Sequence, residues 1–527
     1  MINAVGRNIP DELLTDGREV YQGKNYKDGK YIQKASPKSR MFVKPEEDKL
    51  VATLKEACIK CGAHDGMTFS FHTELRNGDY VGAMAARVLV EELGLKNIRV
   101  AATSLGSAQD IIADYIEQGK ITAVQTSGVR GRIGEVISAG KLGQPAIIRS
   151  HGGRPRAVEA GEVHIDIAFL AAASSDCCGN SSGVGGKNNF GSMGFGTHDA
   201  HYADHTIVVT DTLVDFPNLP SSVSAIDVDA VVVVDEIGDA GKIATKEARM
   251  TDNPRELMMA KNAAAVIAAT PYFKDGFSFQ TGVGGPSLAV NRFLEEHMRE
   301  KGIKMSFALG GTSKAICDLM DKGFVRHILD TQDFDTGAAA HIFKTPGHHE
   351  ISLSEYANAG NKGAYVNKLD YVVLAALEID TKFNVNVITG SDGILRGAPG
   401  GHPDTAAGSK CCIIVTPLTR GRMATVCEEV VTVTTPGDCV DVLVTDYGIA
   451  VNPLRPDIIE ALDKAGIEHV SIEWLKDKAY SLVGTPEKLQ WEDKVVAVVE
   501  ARDGTILDVV RKIKPLDVNA EGEEVTF

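Results

Sequence analysis

The feature of this sequence that most constrains its fold is an internal repeat. Asp65 to His72 reads Asp-Gly-Met-Thr-Phe-Ser-Phe-His, and a shorter counterpart from Asp275 to Gln280 reads Asp-Gly-Phe-Ser-Phe-Gln. Six further residues recur at identical spacing: Asp166, Leu170, Ala171, Ala172, Asp176 and Asn180 match Asp370, Leu374, Ala375, Ala376, Asp380 and Asn384. Such a repeat indicates two domains of one architecture in tandem, facing each other across a cleft. We expect the functional site in that cleft.

Both halves alternate segments of helical spacing with short apolar runs. Ile165 to Ala171 and Tyr371 to Leu377 are nearly continuous apolar runs, which are typical of parallel strands covered on both faces. The sequence therefore predicts an α/β fold of two similar domains with mainly parallel sheets and an active site between them. The predicted divisions are a polar N-terminal arm over 1–44, domains over 45–274 and 275–518, and an acidic tail over 519–527.

The net charge and the cysteine content of the chain disfavour some classes of partner and of cellular location. The 527 residues include 55 Lys and Arg against 71 Asp and Glu, a net charge of −16 that disfavours nucleic acid or an anionic membrane as a partner. Nine cysteines spread along the chain, without a leader or a long apolar segment, predict a reduced, cytoplasmic protein. Cys58 and Cys61 form a CxxC with no second pair at ligand distance, so we expect no metal there.

Glycine-rich turns are the first candidates for catalysis. Gly282, Val283, Gly284 and Gly285 follow a predicted strand and precede a predicted helix, a position where backbone N–H groups bind anions. A second turn contains Gly400 and Gly401. Thioester chemistry needs such donors to stabilise an oxyanion. Lys187 does not belong to a nucleotide-binding loop, because Ser181 stands where that loop needs its first glycine.

Several separated motifs carry a family resemblance. The segments Ala376 to Asp380, Asn384 to Asn386, Gly397 to Asp404, Ala407 to Lys410 and Thr445 to Ala450 resemble the acyl-CoA transferases. Within that superfamily, Phe69 to His72, Leu75 to Asp79 and Ser150 to Arg156 resemble the citrate lyase α-subunit family. The motifs occur in the same order as in that family and span nearly the whole chain.

The resemblance implies an enzyme that exchanges acetyl for citryl on the thiol of an acyl carrier protein. The implied partners are the β (lyase) and γ (carrier) subunits, citrate and acetate, with a homo-oligomer within the complex. The resemblance implies no cofactor on this chain, which would act on the phosphopantetheine arm of the carrier or on acyl-CoA. Gly282, Val283, His402 and Asp404 are predicted to bind that arm, and Gly284, Gly285, Gly400 and Gly401 to stabilise oxyanions.

One departure bears on the mechanism. Transferases that form a covalent glutamyl thioester carry a glutamate on the strand after the helix that follows the glycine turn, and here the aligned position is Ser306. Serine cannot form that intermediate, which favours direct transfer. Glu378 is the nearest remaining carboxylate in the motif region and is a catalytic candidate, although a structural role at a strand end explains it as well.

Citrate has three carboxylates and needs cationic donors. Arg130 and Arg132 follow one predicted strand, and His151, Arg154 and Arg156 follow another, where ligands of parallel sheets bind. His72 and Arg76, in the family-like segment, are further candidates. His198, His201 and His205 are spaced like metal ligands, but an interface helix explains them better, and we expect no metal.

Two alternatives stay open. A free-standing CoA-transferase would use soluble acyl-CoA, and a non-catalytic scaffold would use the polar arm and the histidine segment for docking. The sequence does not distinguish citrate from citramalate, and it does not give the stoichiometry of a complex.

Overall fold

The computed structural model describes residues 1–15, 17–24, 47–244, 251–282 and 284–514. Val283, residues 16 and 25–44 of the predicted arm, and the acidic tail therefore lie outside the described residues. The helices are α1 (Leu54–Lys60), α2 (Val81–Arg87), α3 (Ile111–Glu117), α4 (Gly131–Ser138), α5 (Gly153–Glu159), α6 (Gly196–Tyr202), α7 (Pro254–Ala269), α8 (Gly285–Lys301), α9 (Lys314–Asp321), α10 (Thr336–His341), α11 (Leu353–Ala357), α12 (His402–Gly408), α13 (Pro456–Ala465) and α14 (Ile472–Val483).

The strands divide between the two halves of the chain. Those before residue 251 are β1 (Leu50–Val51), β2 (Thr68–Phe71), β3 (Ile98–Ala102), β4 (Ile121–Thr126), β5 (Ala146–Ile148), β6 (Ile167–Ala172), β7 (Ser174–Ser175), β8 (Ser181–Ser182), β9 (His205–Thr210) and β10 (Ala230–Val233). The later ones are β11 (Phe277–Thr281), β12 (Met305–Thr312), β13 (Val325–Asp333), β14 (His348–Glu350), β15 (Tyr371–Leu374), β16 (Glu378–Asp380), β17 (Val385–Asn386), β18 (Cys411–Val415), β19 (Thr419–Arg420), β20 (Met423–Ala424), β21 (Val426–Cys427), β22 (Val442–Val444), β23 (Ile449–Val451), β24 (Trp491–Glu500) and β25 (Ile506–Ile513).

Two large, mainly parallel sheets share one strand order. The first is a ten-stranded sheet in the order β1-β10-β9-β6-β2-β3-β4-β5-β24-β25, and the second is an eight-stranded sheet in the order β14-β13-β12-β11-β15-β18-β22-β23. Read in matching directions, the seven strands from β10 to β5 and from β22 to β14 follow the same path through their sheets. The predicted fold class is thereby confirmed.

The repeat extends to individual hydrogen bonds. Asp166 Oδ2 accepts the backbone N–H of Thr68 at 2.7 Å, and its counterpart Asp370 Oδ2 accepts that of Ser278 at 2.9 Å. These aspartates precede β6 and β15 and tie each to the start of the central strand of its sheet. The two aspartates of the repeat thus make the same side-chain-to-backbone hydrogen bond in both domains.

A second matched pair closes a turn after those strands. Asp176 accepts the backbone and side-chain N–H groups of Asn180, and Asp380 accepts the same two groups of Asn384, at 2.8 to 3.1 Å. An aspartate that bonds the backbone a few residues on stabilises a tight turn. Both turns follow the carboxyl end of a strand, so the repeat preserves the geometry of the cleft edge.

The C-terminal hairpin corrects the predicted domain division. Residues 491–513 were expected in the second domain, as part of 275–518. Instead β24 pairs with β5 in parallel register, Ala497 opposite Ala146, and β25 completes the first sheet as an antiparallel edge strand. The chain therefore returns to its first domain, because β5 would otherwise leave an open, apolar sheet edge.

The described part of the N-terminal segment packs on that hairpin. Tyr21 donates its backbone N–H to Ile506 O at 2.9 Å, and Ile9 and Val20 are buried against Val498 and Ile506. These residues therefore form a small apolar cluster with β24 and β25 and are not an extended arm. Within the described ranges, no helix combines the length and the apolar character needed to cross a bilayer.

Candidate active site

The carboxyl ends of the parallel strands define the cleft edge of each domain. In the first domain, β2 ends before His72, β4 before Ser127 and β5 before Arg149. In the second domain, β11 ends before Gly282 and β15 before Ala375. Ligands of parallel α/β sheets bind beyond these ends, so the two edges are where chemistry is expected.

A turn from the second domain reaches across to the first. Gly400 O accepts the backbone N–H of His151 at 2.8 Å, and Gly397 O accepts that of Val129 at 3.0 Å. A Cβ placed on Gly128 would approach the Ala398 Cβ to 2.2 Å, so the two backbones touch. The glycine turn of the second domain thus lies directly against the ends of β4 and β5.

Asp404 fixes this junction with one carboxylate. Its Oδ1 accepts the Ser150 hydroxyl at 2.8 Å and its Oδ2 accepts the Gly152 N–H at 2.9 Å. Burial raises the Asp404 pKa to about 6, against the opposing effects of Arg502 and these hydrogen bonds. Asp404 was predicted to bind the thioester arm, but its oxygens are engaged within the protein.

His402 is engaged in the same way. Its Nε2 lies 3.0 Å from Ala375 O and its Nδ1 lies 2.7 Å from the Thr435 hydroxyl. A carbonyl only accepts, so Nε2 carries the proton and Nδ1 accepts from Thr435. Burial lowers the His402 pKa to about 4, which keeps the ring neutral. The predicted arm-binding histidine is therefore a tether between the glycine turn and the end of β15.

Ala375 brings the two predicted glycine turns together. The Ala375 carbonyl accepts a hydrogen bond from His402 of the second turn. A Cβ built on Gly284 of the first turn would lie 3.7 Å from the Ala375 Cβ. Gly284 is the N-cap of α8, and Gly285 is its first residue. The turn at Gly284 and the turn at Gly401 thus flank one residue at the cleft edge, which is the arrangement that the sequence predicted.

The glycines of the two turns differ in whether the fold itself requires a residue without a side chain. Gly400 has φ of +52°, and a Cβ on Gly401 would lie 2.2 Å from the Tyr356 hydroxyl, so both are glycine for reasons internal to the fold. Gly284 has an ordinary φ of −71°, and a Cβ on Gly282 or Gly284 would meet nothing closer than 3.6 Å. Another group can therefore approach the backbone at Gly282 and Gly284 without a clash.

Two buried polar atoms, on β11 and on the first turn of α8, have no hydrogen-bond partner among the described residues. Ser287 is fully buried on the first turn of α8, and its hydroxyl makes no hydrogen bond. Gln280 donates its Nε2 to the Tyr356 hydroxyl at 2.9 Å, but its Oε1 accepts nothing. Such atoms usually indicate an unfilled ligand or water position.

His151 stands at the junction of the domains. Its ring packs edge-on against Phe195, with 4.8 Å between centroids, and His72 lies behind Phe195 at 6.3 Å. Burial, together with the charges of Arg154 and Arg130, lowers the His151 pKa to about 3. The neutral ring can donate or accept one hydrogen bond at the cleft, as its predicted substrate-binding role requires.

Two predicted substrate-binding arginines have internal partners instead. Arg154 is 4% exposed and donates to both oxygens of Asp199 at 2.6 Å, and Arg156 is 3% exposed and donates to both oxygens of Glu162 at 2.7 Å. Removal of the carboxylate partner of a buried guanidinium strongly destabilises the folded protein, because it leaves an uncompensated buried charge. Their predicted role as citrate ligands is therefore not supported.

The three remaining arginine candidates lie in different environments. Arg132 lies on the outer side of α4 in an exposed pair with Asp114 and Glu117. Arg76 has a φ of +54° and places its guanidinium 4.9 Å from the Phe334 ring of the second domain. Arg130 is exposed at the end of β4 and acts on His151 by its charge. Arg130 is thus the arginine best placed for an anionic substrate.

His72 belongs to a buried network. Its Nδ1 lies 3.1 Å from the Thr103 hydroxyl and its Nε2 lies 3.0 Å from Asp199 Oδ2. Burial alone would raise the Asp199 pKa, but Arg154 and His72 lower it well below its usual value. His72 therefore supports the floor of the cleft through Asp199, a residue that the sequence analysis did not single out.

Glu378 has a structural role. It lies on β16, where Oε2 accepts the Asn386 amide at 2.9 Å and the Val431 N–H at 3.1 Å. Burial raises its pKa. Because this carboxyl holds together a small sheet of β17, β16 and β21, we withdraw it as a catalytic candidate.

The strand that carries the glutamate in covalent transferases ends in glycine here. Ser306 is the second residue of β12, at the end remote from the cleft, and donates to Phe277 O at 3.3 Å. The cleft end of β12 is Gly310 and Gly311, where a Cβ would collide with Gln280 and Phe334, respectively. Neither Ser306 nor any other residue of β12 carries a carboxylate, so this strand offers no glutamate to accept an acyl group.

Glu74 is a candidate that the sequence analysis missed. It follows β2 by three residues, is 2% exposed, and its Oε2 has no hydrogen-bond partner among the described residues. Burial and the nearby carboxylates of Asp79 and Glu350 raise its pKa well above the usual value. A buried carboxyl with a raised pKa at a strand end is a functional candidate, and its position after β2 was the available signal.

The histidine segment does not converge on one point. His198 and His201 lie on α6, whereas His205 begins β9. His198 is buried near Glu159 at 3.3 Å, and the other two pair with Asp227 and Asp229. The three imidazoles thus have three different acidic neighbours, and the alternative of a solvated or interface-lining helix stays a prediction.

Comparison with known proteins gives the family. The family model described as citrate lyase, alpha subunit, matches residues 47–513. This chain belongs to that family. The citrate lyase alpha chain of Escherichia coli (strain K12) is 50% identical over 480 residues, which cover 91% of this chain and 94% of that one. The alpha chain from Klebsiella pneumoniae is 48% identical over 469 residues, 89% and 92% of the two chains.

Solved structures agree with the family assignment. A structure described as the alpha subunit of citrate lyase from Streptococcus mutans in complex with citrate has a TM-score of 0.93 and 46% identity, and the match covers 97% of this chain and all of that one. A Pseudomonas malonate decarboxylase matches with a TM-score of 0.63 at 17% identity, over 83% of this chain and 86% of that one. The latter likeness shows the fold alone.

Proposed function

We propose that this chain is the transferase subunit of a citrate lyase, exchanging acetyl for citryl on the thiol of an acyl carrier protein. Acetyl carrier and citrate would give citryl carrier and acetate. The proposal rests on membership of the citrate lyase alpha-subunit family and on the Streptococcus mutans relative, which is described with citrate bound. The proposed partners are a lyase subunit and the carrier, in a multi-subunit complex.

The observation that carries the proposal is the open space beside Gly282 and Gly284. These glycines have no steric reason in the fold, and they lie at the start of α8, whose first N–H groups have no partner within the helix. A thioester carbonyl placed there would meet backbone donors as negative charge develops on its oxygen. The facing edge offers Arg130 and His151 to a carboxylate substrate.

The proposed reaction has two balanced steps. A citrate carboxylate oxygen attacks the acetyl carbonyl carbon and displaces the carrier thiolate, which forms a mixed anhydride of citrate and acetate. The thiolate then attacks the citryl carbonyl of that anhydride and displaces acetate. Gly310 and Gly311 at the cleft end of β12 favour this direct route over a glutamyl thioester, because neither provides a carboxylate to accept the acyl group.

The test mixes purified chain with acetylated carrier protein and citrate, and follows both acetate release and the mass of the carrier. We expect acetate release that depends on citrate and a carrier whose mass rises from the acetyl to the citryl form. Acetyl-CoA in place of the carrier tests the free-standing transferase, which would turn over acetyl-CoA faster. A scaffold would release no acetate with either donor.

A second arm tests the direct route. Chain incubated with acetyl carrier alone is treated with borohydride, which reduces a glutamyl thioester to an alcohol. We expect an unchanged mass for every peptide of the chain. A reduced glutamate at any position would contradict direct transfer while leaving the overall exchange intact.

A further inference from the structure

A second cluster of reactive side chains lies at the outer edge of the second sheet. Cys317 on α9, His341 at the end of α10 and His348 at the start of β14 each offer one ligand atom, and these atoms lie within 4.8 Å of one another. Cys317 and His348 are buried and His341 is partly buried. Cys317 is remote in sequence from the two histidines, which are themselves seven residues apart, so the fold brings the cysteine to them.

The hydrogen bonds of the two histidines leave their facing nitrogens without protons. His348 Nε2 lies 3.1 Å from Asp330 Oδ2, and His341 Nε2 lies 3.4 Å from Asp321 Oδ1. An ionised carboxylate only accepts, so each Nε2 carries the proton of its neutral ring. Both Nδ1 atoms then present lone pairs, and they face each other at 2.8 Å. A separation of 2.8 Å between these nitrogens requires either a proton or a metal cation between them.

Cys317 decides which cation suits the cluster. Its sulfur lies within the same group of ligand atoms, and a thiolate with two imidazoles is a ligand set that Zn²⁺ prefers. The carboxylates behind both imidazoles match the usual outer shell of zinc sites, where the ring nitrogen that does not bind metal donates to a carboxylate. His341 is partly exposed, which provides a path from solvent.

We propose that Cys317, His341 and His348 bind one zinc ion through Sγ and the two Nδ1 atoms, with a fourth position open to water or another ligand. The site would join α9, α10 and the edge strand β14, which the hydrogen bonds of the two histidines already connect at this corner. Asp330 orients His348 and, through its backbone carbonyl, accepts the Ser192 hydroxyl of the first domain at 3.2 Å. Zinc would thus hold in place the segment around Asp330, which contacts Ser192 of the first domain.

The test measures zinc in the whole purified chain after exchange into metal-free buffer, with and without prior incubation with Zn²⁺. We expect about one zinc per chain in the wild type, as a single site with three protein ligands requires. Cys317→Ser and His341→Gln should each retain at least about tenfold less zinc. Cys61→Ser is the matched control, because Cys61 is also a buried cysteine and belongs to the CxxC pair. This variant should retain as much zinc as the wild type.

Two further measurements keep the proposal testable if Cys317→Ser fails to fold. Wild-type chain loaded with Co²⁺ should show a thiolate-to-cobalt charge-transfer band in the near ultraviolet. Asp321→Asn changes an exposed side chain that only orients His341, and it should weaken zinc affinity about tenfold or more without unfolding the protein. Wild-type chain without zinc after incubation, or zinc lost from Cys61→Ser instead, would overturn the site and indicate a proton shared by the two imidazoles.

Discussion

Asp404 joins the two domains through a single buried carboxylate. Its two oxygens hold the Ser150 hydroxyl and the Gly152 N–H, and both donors lie at the carboxyl end of β5 in the other domain. Removal of one acceptor would leave two buried donors unsatisfied. Asp404 thus holds the glycine turn against the end of β5, alongside the direct hydrogen bond from the His151 N–H to Gly400 O.

We expect Asp404→Ala to lower the free energy of unfolding by about 2 to 4 kcal/mol, because two donors lose a charged acceptor. Asp404→Asn should fall between this variant and the wild type, since its amide nitrogen cannot accept. Urea unfolding measures both changes. Asp463→Ala removes an exposed carboxylate and should change stability by no more than about 1 kcal/mol. Equal effects at 404 and 463 would contradict the proposed clamp.

Residue-level predictions from the sequence succeeded where they concerned the backbone. Gly284 and Gly401 were expected to flank one cleft, and they do, because strand ends and turns follow from periodicity and glycine spacing. For Arg154 and Arg156, which were predicted to bind substrate, the structure shows buried ion pairs within the protein instead. A position after a strand does not say which way a long side chain points, and the partners Asp199 and Glu162 lie elsewhere in the sequence.

At the scale of elements, the C-terminal hairpin is held by a buried ion pair. Arg149, one residue after β5, donates its Nε to Glu500 Oε2 at 2.5 Å at the end of β24, and Arg18 reaches the other carboxylate oxygen. The hairpin thereby carries the chain back to the first sheet. Apolar alternation predicts these strands but not which of two similar sheets they extend, since that choice depends on contacts remote in sequence.

Glu500→Ala should destabilise the protein by about 3 to 5 kcal/mol, because it leaves the buried Arg149 guanidinium uncompensated. Glu492→Ala, in the same hairpin, removes a partly exposed partner of Lys512 and should cost no more than about 1 kcal/mol. Thermal or urea unfolding of the two variants provides the comparison. A similar cost for both would show that the pair does not anchor β24.

At the scale of the whole molecule, a loop of the first domain seats on the strand ends of the second. Asp333 Oδ2 accepts the Ser192 N–H at 2.9 Å, and Glu350 accepts the Ser192 hydroxyl at 3.3 Å together with the Met193 N–H. The same loop continues to Phe195, which packs on His151. The interface that sets the cleft is therefore rich in carboxylates that are withdrawn from water.

Glu350 makes that interface sensitive to pH. Burial raises its pKa from an ordinary 4.5 to about 6. The folded state therefore binds more protons than the unfolded state between those values, and the contribution of Glu350 to stability decreases as pH rises through this window. Glu350→Gln cannot titrate, so its stability relative to wild type should improve by about 1 kcal/mol between about pH 5 and about pH 7.

Urea midpoints of wild type and Glu350→Gln at the two pH values measure this difference. Glu460→Gln, which alters an exposed carboxylate on α13, is the control and should track the wild type at both. A constant difference between Glu350→Gln and wild type would mean that this carboxyl keeps its ordinary pKa in the folded protein.

The claim on which the account depends is that the space beside Gly284 receives the thioester. Gly284→Ala is the direct test, because its methyl group fits the protein at 3.7 Å from Ala375 yet occupies that space. Gly363→Ala adds the same methyl group where nothing lies within 4 Å. We predict that citrate-dependent acetate release from acetyl carrier falls about a hundredfold in Gly284→Ala and not in Gly363→Ala, at similar melting temperatures. Equal rates in the two variants would contradict the account.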